Sequence, residues 1–298
     1  MDLELSDDQV ALRDGIASML AARFTPERIR QGFDRAMFDE LAEAGVFSLR
    51  ADGFTWSDCV VVFEQLGRAC VPGPLVPSLL LGDGRIATVC DNGWIEHVDV
   101  ADVVVAPLST GTGFVEGELV TEPSPWPLDP LTPVARVVGD VLVETGAIDW
   151  FQWQRAGAVL TAAFQLGLAD RLTEMAVEYA KERKQFDRPI GGFQAIKHLC
   201  ADMLVRTEVA RAAVYAARAH LDAGDDRAGL DRAISGAKLL AGEAAVLNGK
   251  TATQVHGGMG FTWEVDVHLY LKRAWVLDTH FGSADAHADT VAAALPSA

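Results

Sequence analysis

Two stretches in the second half of the chain gather the side chains whose types and spacing could do chemistry. They run from Tyr179 to His198 and from Gln254 to Phe261. In the first, Arg183 offers a planar, permanently charged fork suited to a pyrophosphate, and Gln185 can add a neutral hydrogen bond. Phe186 can pack against a flat ring. Gln194 and Gln254 carry donors and acceptors for ribose or phosphate oxygens, and Gly257 and Gly258 let backbone N–H groups approach an anion with no Cβ in the way. The set suits a dinucleotide. Each member also has a plainer reading: Arg183 and Lys184 as a solvated helix end, Phe186 as core, and Gly257-Gly258 as a helix stop.

Other chemistries find less support. Cys59, Cys70, Cys90 and Cys200 are scattered without CxxC spacing, which fits reduced thiols rather than a disulfide framework or a zinc site. The seven histidines are equally dispersed, and no HExxH or ExxH pair sets two metal ligands on one helix face, so no metal is expected. A formal net charge of -17 argues against nucleic acid, whose phosphates attract basic stripes. Apolar runs such as Val159 to Leu168 are too short to span a bilayer, and Met1 to Ser6 carries no secretory pattern, so a cytoplasmic protein is expected.

Three regions must position the two stretches. Residues 1–72 alternate helical patterns with short breaks. Ser6 can cap a helix through Val10, Leu12, Ile16, Met19 and Leu20; a second pattern runs through Met37, Phe38, Leu41 and Ala42 to Gly45; a third spans Ser57 to Leu66 and ends before Gly67. Val71-Pro72-Gly73-Pro74 breaks the pattern. Residues 73–148 read as a small β domain, with valine-rich runs from Val98 to Val105 and from Val134 to Val143. Between them, Thr121 to Pro133 holds five prolines and is expected to be loop. Residues 149–298 are alanine-rich with helical periodicity over Trp150 to Lys184, Phe193 to Ala223, Arg227 to Thr253, Glu264 to His280 and Asp285 to Leu295. Helices of this length with short connections pack as an antiparallel bundle. Phe164, Leu168, Leu172, Met175, Leu199 and Met203 are its expected core.

The two stretches resemble the acyl-CoA dehydrogenase family, in which the first has the form Arg-x-x-Phe-Gly followed by Phe-Gln, and the second Gln-x-x-Gly-Gly-x-Gly. The resemblance is strongest from about Gln165 onward. It implies an α+β fold with an N-terminal helical domain, a small middle β domain and a C-terminal four-helix bundle. It also implies FAD, with Arg183, Gln185, Phe186, Gln194, Gln254, Gly257 and Gly258 on the adenosine-pyrophosphate side of a flavin held mainly by a neighbouring subunit. At 298 residues the chain is short for the family, with the β region the place of loss.

The family removes the α-proton of a CoA thioester with a carboxylate while the β-hydrogen leaves as hydride to the flavin. The usual Glu-Gly-Thr triplet falls, without gaps, on Phe281-Gly282-Ser283, and the rarer location on the first bundle helix falls on Gly157 and Ala158. Neither titrates. One turn away, Gln154-Arg155 supplies an amide rather than an acid. Thr121-Glu122-Pro123 begins like the flavin-ring segment but continues without Gly-Ser-Asp.

This split resembles the paired α2β2 enzymes of actinobacterial steroid catabolism, whose FAD sites are built across unlike subunits. Gln185 to Ile190 and Phe193 to His198 look like that subgroup. The expected partner is a second acyl-CoA dehydrogenase-like subunit carrying the Glu, and the expected substrate a steroid-derived acyl-CoA. Two alternatives stand beside it. One is a self-sufficient dehydrogenase using an unusual base such as Asp278 or Asp285, with Glu264 near the glycine turn also a candidate; each of these is more simply a solvated or capping carboxylate, and the same applies to His256 and His280. The other is a flavin-free structural or regulatory binding protein.

Overall fold

The computed structural model describes residues 3–108, 111–224 and 227–294. The chain divides into two compact units, one made of residues 1–26, 56–70 and 158–298, the other of residues 27–55 and 71–157.

The chain opens with α1 (Asp7–Arg23), where Ser6 and Gln9 form the reciprocal capping box their spacing encodes. After a short α2 (Pro26–Ile29), α3 (Arg35–Glu43) is capped by Asp34 and ends at Gly45 with φ +80°. The next helix, α4 (Trp56–Arg68), runs straight through Gly67 instead of stopping before it. The reason is packing rather than helix propensity. A Cβ on Gly67 would lie 2.0 Å from the carbonyl oxygen of Phe164, and a Cβ on Gly167 would lie 2.0 Å from that of Glu64. The paired glycines let two helix backbones touch, and Gly67 is retained inside a helix for that approach.

A short helix, α5 (Leu75–Leu81), precedes five strands: β1 (Ala87–Asp91), β2 (Trp94–Glu96), β3 (Val103–Leu108), β4 (Gly111–Pro123) and β5 (Val134–Ala147). They close a barrel in the order β1-β2-β5-β4-β3, antiparallel except for the parallel β1–β3 pair. Ile95, Val104, Ala106 and Ala135 meet in its interior. Thr121 to Pro123 are not loop: they are the last residues of β4, paired with Val137, Arg136 and Ala135. Pro123 is tolerated because it ends the strand. The rest of the proline-rich stretch is irregular, as expected.

The remaining helices are α6 (Trp150–Glu182), α7 (Gln194–Ala223), α8 (Arg227–His256), α9 (Val267–Leu277) and α10 (Ala284–Ala293). The expected helix ends lie within a few residues of these, and Leu295 falls outside the described residues. Phe164, Leu168, Leu172 and Met203 are buried, while Met175 and Leu199 are half-buried. Polar ties reinforce the apolar packing. Arg211 and Tyr215 on α7 both bind the buried Glu64 of α4, and Arg68 binds Asp170 and Glu174 on α6. Asn248 of α8 donates to Thr207 at 3.0 Å and accepts from Arg206 at 2.9 Å. No helix among the described residues is long and apolar enough to cross a membrane.

Candidate functional site

Two chain reversals build one cleft. The first follows α6. Arg183 continues its hydrogen bonding to Tyr179, and the chain then folds into a two-residue hairpin, β6 (Lys184–Gln185) against β7 (Arg188–Pro189). Phe186 and Asp187 sit at its tip with φ of +53° and +63°, the left-handed pair that a tight hairpin turn demands. Ile190 then donates to the Arg183 carbonyl, and Gly191 lies where a Cβ would press on the Ala180 carbonyl at 2.9 Å. The second reversal ends α8. Gly257 takes φ +61°, a 3₁₀ turn covers Gly257–Phe261, and Gly260 lies where a Cβ would sit 2.7 Å from the Thr253 carbonyl.

Between them lies a cleft of about 540 Å³ lined by Tyr179, Arg183, Gln185, Ile190, Val255, His256, Gly257, Gly258, Met259, Thr262 and Glu264. It brings together four of the seven sequence candidates: Arg183, Gln185, Gly257 and Gly258. Phe186 does not line it; the ring is 86% exposed at the hairpin tip, edge-on to Phe193 at 6.1 Å. Nor is Phe186 core. Gln194 and Gln254 are exposed and also outside the lining. Tyr179 and His256 were not among the cofactor candidates, yet their rings stack at 4.2 Å across the two reversals. The signal was present in the sequence, since Tyr179 lies one helical turn before Arg183 and His256 adjoins Gly257.

The electrostatics follow from these contacts. Burial pushes the His256 imidazole below its ordinary value, opposed by its hydrogen bond to the Ala252 carbonyl at 2.8 Å. A carbonyl only accepts, so Nδ1 carries the proton and Nε2 remains an acceptor. Both glycines face open space, with no atom within 4 Å of a Cβ built on either, so their backbone is open to a ligand. The Arg183 guanidinium has no carboxylate partner among the described residues. The cleft combines an uncommitted cation, open backbone amides and an aromatic stack, a donor set that matches a nucleotide diphosphate.

The position aligned with the family's base is different in kind. Phe281 and Gly282 turn the chain with φ of +54° and +112°. His287 holds the turn, donating from Nε2 to the Phe281 carbonyl at 3.1 Å while Nδ1 meets Ser235 at 3.1 Å. Lys238 donates to the carbonyls of Leu277 and Asp278 at 3.0 and 3.3 Å, closing the end of α9. Asp278 is half-buried, its carboxylate over the bare Cα of Gly242; Asp285 is exposed in the first turn of α10; Glu264 lines the cleft between the two reversals. Gly157 is buried and has no side chain to titrate. Among the described residues no cluster of histidine, cysteine or carboxylate could hold a metal.

Residues 148–295 match the acyl-CoA dehydrogenase C-terminal domain. The chain is 32% identical to acyl-CoA dehydrogenase IpdE2 of Mycobacterium tuberculosis, over 90% of this chain and 91% of that protein. The chain belongs to the acyl-CoA dehydrogenase family. Its fold is shared by the ChsE4-ChsE5 complex from Mycobacterium tuberculosis, with a TM-score of 0.85 at 23% identity over 100% of both chains. It is shared too by the Tcur3481-Tcur3483 steroid acyl-CoA dehydrogenase G363A variant, with a TM-score of 0.80 at 21% identity over 97% of each chain. As an acyl-CoA dehydrogenase the protein falls among the FAD-dependent acyl-CoA oxidoreductases, and FAD is the dinucleotide whose diphosphate the cleft's residues fit.

Proposed function

We propose that this acyl-CoA dehydrogenase chain is the non-basic subunit of a split enzyme, supplying the adenosine-pyrophosphate side of an FAD site while a second acyl-CoA dehydrogenase-like subunit supplies the glutamate. The observation that carries the reading is a contrast within one chain. The cleft around Arg183, Gln185, Gly257 and Gly258 is furnished for a nucleotide diphosphate, and the base position holds Phe281. When bound, FAD accepts the β-hydride of a CoA thioester. This chain's own residues anchor and orient: Arg183 neutralises phosphate charge, the glycine turn admits phosphate oxygens to backbone N–H groups, and the Tyr179–His256 stack walls one side. Gln194, Gln254 and Phe186 are exposed beyond the cleft and reach the cofactor or the partner only in the assembly.

The partner proposal draws on the paired composition of ChsE4-ChsE5 and Tcur3481-Tcur3483, and the latter's description as a steroid enzyme supports a steroid-derived acyl-CoA as substrate. An α2β2 assembly in the cytoplasm is the corresponding reading. Purification of the chain alone, and then co-expressed with a relative that carries the glutamate, tests it. Flavin absorbance and acyl-CoA dehydrogenation that appear only in the co-purified complex support the split site. A yellow, active chain on its own sinks it in favour of a self-sufficient enzyme, and a colourless, inactive complex in favour of a flavin-free binding protein.

A further inference from the structure

The nucleotide cleft contains two formal charges of opposite sign, the Arg183 guanidinium and the Glu264 carboxylate, and they pair neither with each other nor with any other charged side chain among the described residues. Elsewhere in the same unit arginines find carboxylates: Arg68 with Asp170, Arg171 with Glu178, Arg211 with Glu64. Two unmated charges within one cleft fit a ligand that is itself polar at both ends, anionic at one and neutral but hydrogen-donating at the other.

The rest of the lining has the same bias. Tyr179 directs its hydroxyl proton to the His256 carbonyl, and Thr262 directs its own to the Met259 carbonyl at 2.9 Å. His256 offers the lone pair of Nε2. Apart from Arg183, Gln185 and the glycine amides, the polar lining therefore accepts hydrogen bonds. Beside Glu264 such a surface welcomes ribose hydroxyls or an exocyclic amine and disfavours a further phosphate, because two like charges a few ångströms apart repel even in water and more strongly where water is thinned.

This matters because the two ligands of the reaction share a nucleotide. FAD contains adenosine diphosphate with a free ribose, and coenzyme A contains adenosine diphosphate with a phosphate on the ribose 3′ oxygen. We propose that Glu264 is the specificity-determining residue of the cleft, accepting from the ribose hydroxyls of the FAD nucleotide and excluding the ribose-phosphorylated nucleotide of coenzyme A. The proposal rests on the reading of the cleft as the FAD half-site. It follows the discrimination that dinucleotide-binding sheets make, with an acid at a free ribose and an arginine at a phosphorylated one.

The test titrates the full chain with adenosine diphosphate and with 3′-phosphoadenosine 5′-diphosphate, read by ligand-observed NMR, alongside Glu264→Gln and Arg183→Ala. Glu264 is exposed, so its substitution leaves packing intact. The expected result is a preference of about tenfold for adenosine diphosphate, equivalent to about 1.4 kcal/mol, that vanishes in Glu264→Gln. Arg183→Ala weakens both nucleotides. Equal binding of the two by the wild-type chain, or a preference that survives Glu264→Gln, overturns the role of Glu264 and leaves the nucleotide site standing. Absence of adenosine diphosphate binding, or binding indifferent to Arg183→Ala, overturns the half-site and the specificity with it.

Discussion

Gly257 and Gly258 are adjacent and chemically identical, yet they serve by different means. Gly257 sits at φ +61°, where a Cβ costs about 1–2 kcal/mol, so Gly257→Val strains the end of α8 and lowers the melting temperature. Gly258 has ordinary backbone angles and open space around the missing Cβ. Gly258→Val is expected to melt with the wild type but to lower flavin content of the partnered complex by about tenfold or more, because its methyls fill the approach to the backbone. Thermal melting and the flavin-to-protein absorbance ratio separate the two. Arg183→Lys sharpens the same point. It keeps the charge and loses the fork, so flavin retention should fall between wild type and Arg183→Ala. At this scale the sequence showed the charged and glycine residues, whose chemistry is intrinsic to their type. It did not show that Gln194 and Gln254 fall outside the cleft, because that depends on which way each helix end faces.

Helix boundaries were largely legible because each rests on a local signal: the Ser6 cap, Gly45, and the alanine-rich periodicity from Trp150 onward. Strands were less so: β5 begins at Val134 as expected, but Val98 to Val100 of the first valine-rich run form a turn and only Val103 to Val105 join β3. The misreadings arise where a distant element decides. Gly67 looked like a stop and is a contact point, and Thr121 to Pro123 looked like loop until β5 paired with them. Gly67→Ala and Gly167→Ala each thrust a methyl into the other helix's backbone. Each is expected to cost about 3 kcal/mol or more, read as a loss in the urea midpoint with an unchanged slope. The loop after α9 gives a pH test. Burial, opposed by Asp278, lowers the Lys238 ammonium from its ordinary 10.5 to about 8. Between those values the unfolded chain binds the extra proton, so the Lys238 contribution makes stability rise with pH from about 8 to 10.5 and stay level below about 8. Relative to Lys238→Met, the wild type should gain on the order of 1–3 kcal/mol across that window, measured by denaturation at pH 7.5 and pH 10.

The fold class was legible because composition changes along the chain from helical to valine-rich to alanine-rich patterns, as the order of helices and strands does. The proposed assembly shows in the sequence only as a deficit, the glycine-turn and arginine motifs without an acid at the base position. That deficit makes a prediction at the scale of the complex. If the chain only anchors the nucleotide, proton abstraction belongs entirely to the partner. Replacing the partner's base glutamate by glutamine should then remove turnover by several orders of magnitude while the complex stays yellow. Phe281→Glu in this chain should not restore it, because a carboxylate there has neither a flavin ring nor an acyl chain against which to act. Steady-state dehydrogenation assays on the two variant complexes decide the matter. Recovery of activity by Phe281→Glu would mean that the turn held by His287 and Lys238 still faces a working flavin, and that each chain retains a complete site short of one carboxylate. No recovery, with flavin content preserved, leaves the two chains as complementary halves whose interface is the active site.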